Sequence, residues 1–148
     1  MINEVERQAP RLEAELMARG IRMTHQRRIL LDVIESAQKH LDAATILRRA
    51  QKRDPGINRV TVYRTLGLLK RHGLIDELDL LHLDGDQHYY EQRPSRGHIH
   101  MACLRCGKIR EFQSTLFERL KGQIERECRF RIAVVRVEMG GYCGRCRT

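Results

Sequence analysis

The chain has 148 residues, 41% hydrophobic and 32% charged, and no apolar run approaches the length of a membrane span. That size suits one mid-sized domain or two small ones, and the composition is that of a soluble globular protein. The net charge of +9 at neutral pH points to polyanions, whose phosphates release counterions when Lys and Arg neutralise them.

The opening residues, MINEVERQAPRLEAEL, carry several acids and lack the apolar centre of a signal peptide, so a cytoplasmic location with no membrane partner is expected. The positive charge is concentrated. From Arg19 to Arg71, thirteen Lys and Arg stand against four acids, Asp32, Glu35, Asp42 and Asp54. A solvated basic face is the plain reading of that stretch, and a nucleic-acid surface is the functional one.

In chain order, Arg11 to Arg19 reads as a short amphipathic helix ended by Gly20. Thr24 is a candidate N-cap for a helix over Gln26 to Ser36, with Ile29, Leu30, Val33 and Ile34 on one face. Asp42 caps a helix over Ala43 to Arg53 that buries Ile46, Leu47 and Ala50. Pro55-Gly56 breaks the chain, and Asn58 starts a helix to about His72, with Val62, Leu66 and Leu69 at helical spacing and Gly73 as its C-cap. Leu74 to Leu83 and Gln87 to Glu91 read as strands joined by the turn Asp84-Gly85-Asp86. Helices followed by a hairpin give the order of a winged helix-turn-helix.

Gln92 to Gly97, with Pro94, reads as a linker. Beyond it come a strand (His98 to Ala102), a CxxC turn, a strand (Lys108 to Gln113), a helix (about Thr115 to Cys128) and a long strand (Phe130 to Met139). The expectation is an α+β chain: a winged helix-turn-helix domain over 1–92, a hinge over 93–97 and a small α/β domain over 98–148. A second domain that short needs a staple or a partner chain to be stable.

Four of the five cysteines form two pairs, Cys103-Leu-Arg-Cys106 and Cys143-Gly-Arg-Cys146. Without an export signal, paired CxxC units point to metal rather than disulfides. Four thiolates suit tetrahedral Zn(2+), one ion per subunit, and leave no open position for chemistry. A redox dithiol pair is the alternative, although neither motif follows a thioredoxin-like strand-to-helix pattern. Cys128 stands alone and reads as a buried small apolar residue.

His98-Ile-His100 precedes the first CxxC, and residues two apart on a strand share a face. Glu91 and Glu111 flank the pair. Mixed imidazole and carboxylate donors suit Fe(II), Mn(II), Zn(II), Co(II) or Ni(II) rather than a soft ion. A pair of solvated strand histidines is the plain alternative.

The helix from Asn58 to His72 has the make-up of a major-groove reader. Its apolar residues hold one face, and Arg59, Thr61, Tyr63 and Arg64 lie in the first two turns, where such helices touch DNA. Arg can read guanine, and Thr or Tyr can pack on thymine methyls. Lys70 and Arg71 suit phosphate contacts or the helix C terminus. Arg19, at the head of the basic stretch, is a further candidate DNA contact.

Taken together, His40-Leu-Asp-Ala-Ala, Val60-Thr-Val-Tyr-Arg-Thr-Leu, Gly73-Leu-Ile, Tyr90-Glu91, the run from His98 through Cys103 and Cys106 to Glu111-Phe, and Cys143-Gly-Arg-Cys146 resemble the ferric-uptake regulator family over roughly residues 12–146. The resemblance implies a homodimer, with a tetramer as a further state, a C-terminal dimerisation domain and a structural zinc on the four paired cysteines. It implies a regulatory metal on His40, Glu91, His98, His100 and Glu111, with Fe(2+) first and Mn(2+) or Zn(2+) as alternatives. It also implies double-stranded DNA as partner, an AT-rich pseudo-palindromic operator.

The chain departs from relatives that carry a further metal site, because Gly97, Ile99 and Val135 stand where those relatives place ligands, and only Glu118 matches one. Glu111 stands where peroxide-sensing relatives often have Asp. The Cys that zinc-sensing relatives use near Glu91 is absent, while His82 and His88 leave nickel open. The expectation is thus a metal-dependent, iron-responsive repressor and no enzyme. Peroxide-sensing or manganese-, zinc- or nickel-responsive members of the same family are alternatives. Two readings of other classes are a metalloenzyme using the His/Glu site, which would need an open coordination position and a general base, and a zinc-stapled module that binds no DNA.

Overall fold

Residues 12–37, 40–79, 88–92 and 98–147 are described by a computed structural model, in which the chain divides into two units. Everything expected of 1–11, of the turn at Asp84-Gly85-Asp86 and of the hinge over 93–97 lies outside the described residues.

The first unit runs to Leu78 and includes the segment from His88 to Arg93. It begins with α1 (Leu12–Ala18), α2 (His25–Glu35), a two-residue strand β1 (Leu41–Asp42), α3 (Ala43–Gln51) and α4 (Arg59–Arg71). Three of these helices start where a side-chain oxygen can satisfy a free backbone N–H. Thr24 Oγ1 accepts from the Arg27 amide at 3.2 Å, Asp42 Oδ1 from Thr45 at 2.5 Å, and Asn58 Oδ1 from Thr61 at 3.0 Å. Such a cap contributes about 1 kcal/mol. At the other end of α4, His72 takes the C-cap position and Gly73, at φ +65°, follows it.

The helices pack through one continuous core that includes Leu16, Leu30, Leu31, Ile46, Ile57, Leu66 and Leu69. Strands β2 (Ile75–Leu78) and β3 (Tyr89–Gln92) pair antiparallel, from Ile75 opposite Gln92 to Leu78 opposite Tyr89. β1 adds to the far edge of β3, giving the order β1-β3-β2. β1 leaves no signature in the sequence, because a two-residue strand has no periodicity. Lys70 on α4 pairs with Glu77 on β2, and the Tyr90 hydroxyl donates to the same carboxylate at 3.3 Å. The last turn of α4 is thereby tied to the sheet.

The described part of the second unit contains β4 (Ile99–Cys103), β5 (Ile109–Phe112), α5 (Thr115–Cys128) and β6 (Val137–Gly141). β4 and β5 form an antiparallel hairpin. β6 then returns parallel to β4 on its other side, and the crossover carries α5. Ser114 caps α5, and Arg129 ends it in the left-handed conformation at φ 50°.

Three expectations need correction. The long strand from Phe130 to Met139 forms only from Val137 on. Its ladder partner β4 offers five residues, and backbone without a partner cannot extend a sheet. Cys128 is exposed rather than buried, at the end of a helix that buries no residue within the chain. The apolar residues of α4 do not all hold one face: Val62, Leu66 and Leu69 are buried, but Val60 is 55% exposed.

Candidate metal centres and nucleic-acid interface

The hairpin turn between β4 and β5 carries Cys103 and Cys106, and the turn after β6 carries Cys143 and Cys146. Because β6 lies beside β4, with Cys103 opposite Gly141, the two turns meet at one end of the sheet. The Leu104 amide donates to the Gly141 carbonyl at 2.8 Å and binds them together. Gly107, at φ +68°, lets the first turn close, with its amide donating to the Cys103 carbonyl. All four sulfurs lie within 4.8 Å of one another.

A zinc tetrahedron with metal–sulfur bonds of about 2.3 Å has sulfur–sulfur edges of about 3.8 Å. Cys106 Sγ and Cys143 Sγ are 3.8 Å apart, so the residues present fit such an ion. The electrostatics agree. Backbone N–H groups of Cys143, Cys106 and Arg105 point at the Cys103 sulfur and bring its thiol down to about 6. Cys146, crowded first by the Cys143 sulfur, is pushed up to about 12. Four sulfurs this close cannot all ionise unless a cation sits among them.

The His and carboxylate candidates fall into two groups, one on each unit. In the first unit, His40 immediately precedes β1, whose Leu41 pairs with Tyr90, and this brings His40 beside Glu91 on β3. His40 Nε2 lies 2.8 Å from Glu91 Oε2, with both side chains almost buried. Sequence spacing alone could not select His40; the signal that finds it is its position one residue ahead of an edge strand on β3.

In the second unit, His98 Nε2 and His100 Nε2 approach to 2.9 Å, with the rings edge-to-face. His100 is buried, and Glu111 stands opposite it on β5. Two imidazole nitrogens and a neighbouring carboxylate can bind an ion of intermediate hardness. Glu118, the possible remnant of a further site, lies in the first turn of α5.

The candidate DNA contacts map onto α4 and α1. Arg59, Tyr63 and Arg64 are exposed in the first two turns of α4, and Thr61 is half-buried with its hydroxyl hydrogen-bonded to Asn58 Oδ1 at 3.1 Å. The Arg59 guanidinium sits 5.5 Å above the Tyr63 ring, a cation–π contact that holds both side chains in place. No acidic residue occupies the cap or the first turn of α2 or α4, so the partial positive charge at those two N termini faces no carboxylate of its own helix, whereas that of α3 is met by the Asp42 carboxylate. Arg19 is exposed just after α1 and pairs with Glu15 at 3.3 Å. Among the described residues, no helix is long and apolar enough to cross a membrane.

A winged helix-turn-helix unit with an exposed basic helix, followed by an α/β unit that clusters four cysteines and carries imidazole and carboxylate donors, defines the class of metal-binding transcriptional regulators. Residues 18–140 match the ferric uptake regulator family, and the chain belongs to that family. It is 38% identical over 133 residues to the ferric uptake regulation protein of Rhizobium leguminosarum bv. viciae, covering 90% of this chain and 92% of that one. A solved structure of a zinc-bound manganese uptake regulator is 36% identical, with a TM-score of 0.65, over 89% of this chain and 98% of that one. The manganese-containing ferric uptake regulator of Pseudomonas aeruginosa superimposes with a TM-score of 0.76 at 25% identity, over 89% of this chain and 97% of that one.

Proposed function

We propose that this chain is a metal-dependent transcriptional repressor acting as a homodimer. The first unit serves as its DNA-binding domain and the second as its dimerisation domain. Cys103, Cys106, Cys143 and Cys146 hold one structural zinc per subunit. One regulatory divalent ion draws on His40 and Glu91 from the first unit and on His98, His100 and Glu111 from the second.

The observation that carries this reading is the division of donors: a His–Glu pair on the unit that bears α4, and a His–His–Glu group on the other. An ion needing both groups is fully coordinated in one arrangement of the two units only. It therefore shifts the equilibrium toward that arrangement, which is allostery by differential affinity. Moving a population from mostly inactive to mostly active takes about 5.5 kcal/mol of differential binding. In the dimer, two α4 helices read half-sites about one helical turn apart on an AT-rich pseudo-palindrome. Arg59, Thr61, Tyr63 and Arg64 contact base edges, and Arg19 contacts the backbone.

Fe(2+) is the leading regulatory ion, supported by the donor set and by relatives that are ferric uptake regulation proteins. Manganese is the second reading, favoured by the 36%-identical manganese uptake regulator. The test is anaerobic fluorescence anisotropy on an AT-rich palindromic duplex. Zinc-loaded protein and His98→Ala are titrated in parallel with Fe(II), Mn(II), Zn(II), Co(II) and Ni(II). One ion should sharply tighten binding of the unsubstituted protein and leave His98→Ala unaffected. Binding that ignores every metal would rule out the switch, and turnover of a hydrolysable substrate by the loaded protein would favour a metalloenzyme.

A further inference from the structure

Val60 stands in the first turn of α4 and is 55% exposed, although it is apolar. Its place on the helix is specific. Val62, Thr65, Leu66 and Leu69 form the buried stripe of α4. Residues three and four apart share a helix face, so Val60, Arg64, Gly67 and Arg71 form the stripe opposite. Val60 is thus the apolar member of the outward face, bracketed by Arg59, Tyr63 and Arg64.

Packing within the chain does not account for this residue. A β-branched side chain forms helix less readily than Ala, and an exposed one gains little from the core. What it does supply is a rigid pair of methyl groups, because the helix leaves Val a single favoured χ1 rotamer. Gly67, farther along the same stripe, reinforces the point. A Cβ there would meet only the Arg71 guanidinium, at an ordinary 3.6 Å, so the fold does not require glycine at that position. The absent side chain leaves room for a surface to approach the outward face closely.

We infer that Val60 is a specificity-determining residue that reads thymine through its C5-methyl group in the major groove. The inference rests on the DNA-binding role of α4 proposed above. Thymine differs from cytosine on the major-groove edge by that methyl and by an acceptor in place of a donor. A rigid apolar side chain at the reading end of the helix favours the methyl and disfavours the bare cytosine amino group. Tyr63, pinned by Arg59, supplies a second apolar surface beside it.

The test separates the methyl from every other feature of the base. Full-length, zinc-loaded protein with its activating divalent ion is titrated against an AT-rich inverted-repeat duplex. The same duplex with uracil in place of each thymine loses only the methyl groups. One buried methyl corresponds to about a fourfold change in affinity, so two half-sites give roughly fifteenfold in favour of thymine. Val60→Ala should bring the thymine-to-uracil ratio down to a few-fold, the remainder being carried by Tyr63. Val60→Thr, which keeps the shape but exchanges a methyl for a hydroxyl, should fall between. Comparing the ratio between the unsubstituted protein and Val60→Ala cancels any effect of uracil on duplex shape. An equal ratio in the unsubstituted protein and in Val60→Ala overturns the inference while leaving DNA binding intact. If neither duplex is bound with any metal, the DNA-binding reading fails, and this inference with it.

Discussion

The two units are stabilised in different ways. In the first, Leu16, Ile46, Ile57 and Leu69 are fully buried in one continuous core that joins α1 to α4 and the sheet. In the second, only His100, Ala102 and Cys103 are buried among the described residues, and all three lie on β4. Leu116, Leu120 and Ile124 recur along α5 at helical spacing and remain exposed. The first unit is therefore a small domain held by its own side chains. The second is a sheet and a helix whose apolar surface the described residues leave uncovered, joined at one end by four sulfurs.

Removing the metal should separate the units most clearly. Structural zinc contributes about 10–16 kcal/mol in small domains, more than the core of the second unit can replace. Cys103→Ser, or chelation under reducing conditions, should abolish amide-exchange protection across β4, β5 and β6 while α2 to α4 stay protected. Equal loss in both units would show that they do not differ in this way. A smaller effect comes from truncation. Leu66→Ala should cost about 2–5 kcal/mol in urea unfolding, because it opens a cavity in a filled core. Leu120→Ala should leave the separate chain nearly unchanged and weaken self-association, so that the stability it loses at high protein concentration disappears once both proteins are diluted to monomer. If Leu120→Ala lowers stability at every concentration alike, α5 is covered by its own chain.

Proton release gives a finer measure. Because the second unit is unfolded before metal binds, its four thiols titrate near their ordinary value of about 8.5 and hold their protons at pH 7. Zinc uptake should therefore release nearly four protons between pH 5 and 7, and affinity should weaken as the pH falls. Calorimetry in buffers of different ionisation enthalpy counts those protons, and a number well below four at pH 7 would show that the turns hold Cys103 as a thiolate, at about 6, before the ion arrives. The smallest effect separates two glycines. Gly67→Ala should stabilise the first unit by about 0.5–1 kcal/mol, visible as a small rise in Tm. Gly107→Ala should destabilise the second, because φ is +68° there.

How far these features were legible in the sequence differs between the units in the same way. The capped helices could be read from Thr24, Asp42 and Asn58 together with the buried positions of α2, α3 and α4, since cap chemistry and helical period are local. The CxxC pairs were equally plain, because two such units in a chain without a thioredoxin-like strand-to-helix pattern favour a four-thiolate metal site. The approach of His40 to Glu91 depends on β1, a strand too short to leave a pattern. The stretch from Phe130 reads as a strand by composition, but only a partner can make it one, and β4 stops at five residues. Long-range pairing decides each of these cases.

The parallel pairing of β4 with β6 also sets an order of assembly during synthesis. Parallel neighbours cannot be joined by a tight turn, so all of α5 must be made between them. The contacts of the first unit are complete once β3 has emerged, and that unit can be folded before β6 exists. Until then the β4–β5 hairpin presents Cys103 and Cys106 alone, half of a ligand set and a weak competitor for metal. Tight capture of the ion therefore comes last, and loading the site reports that the second unit has been built through to its final strand.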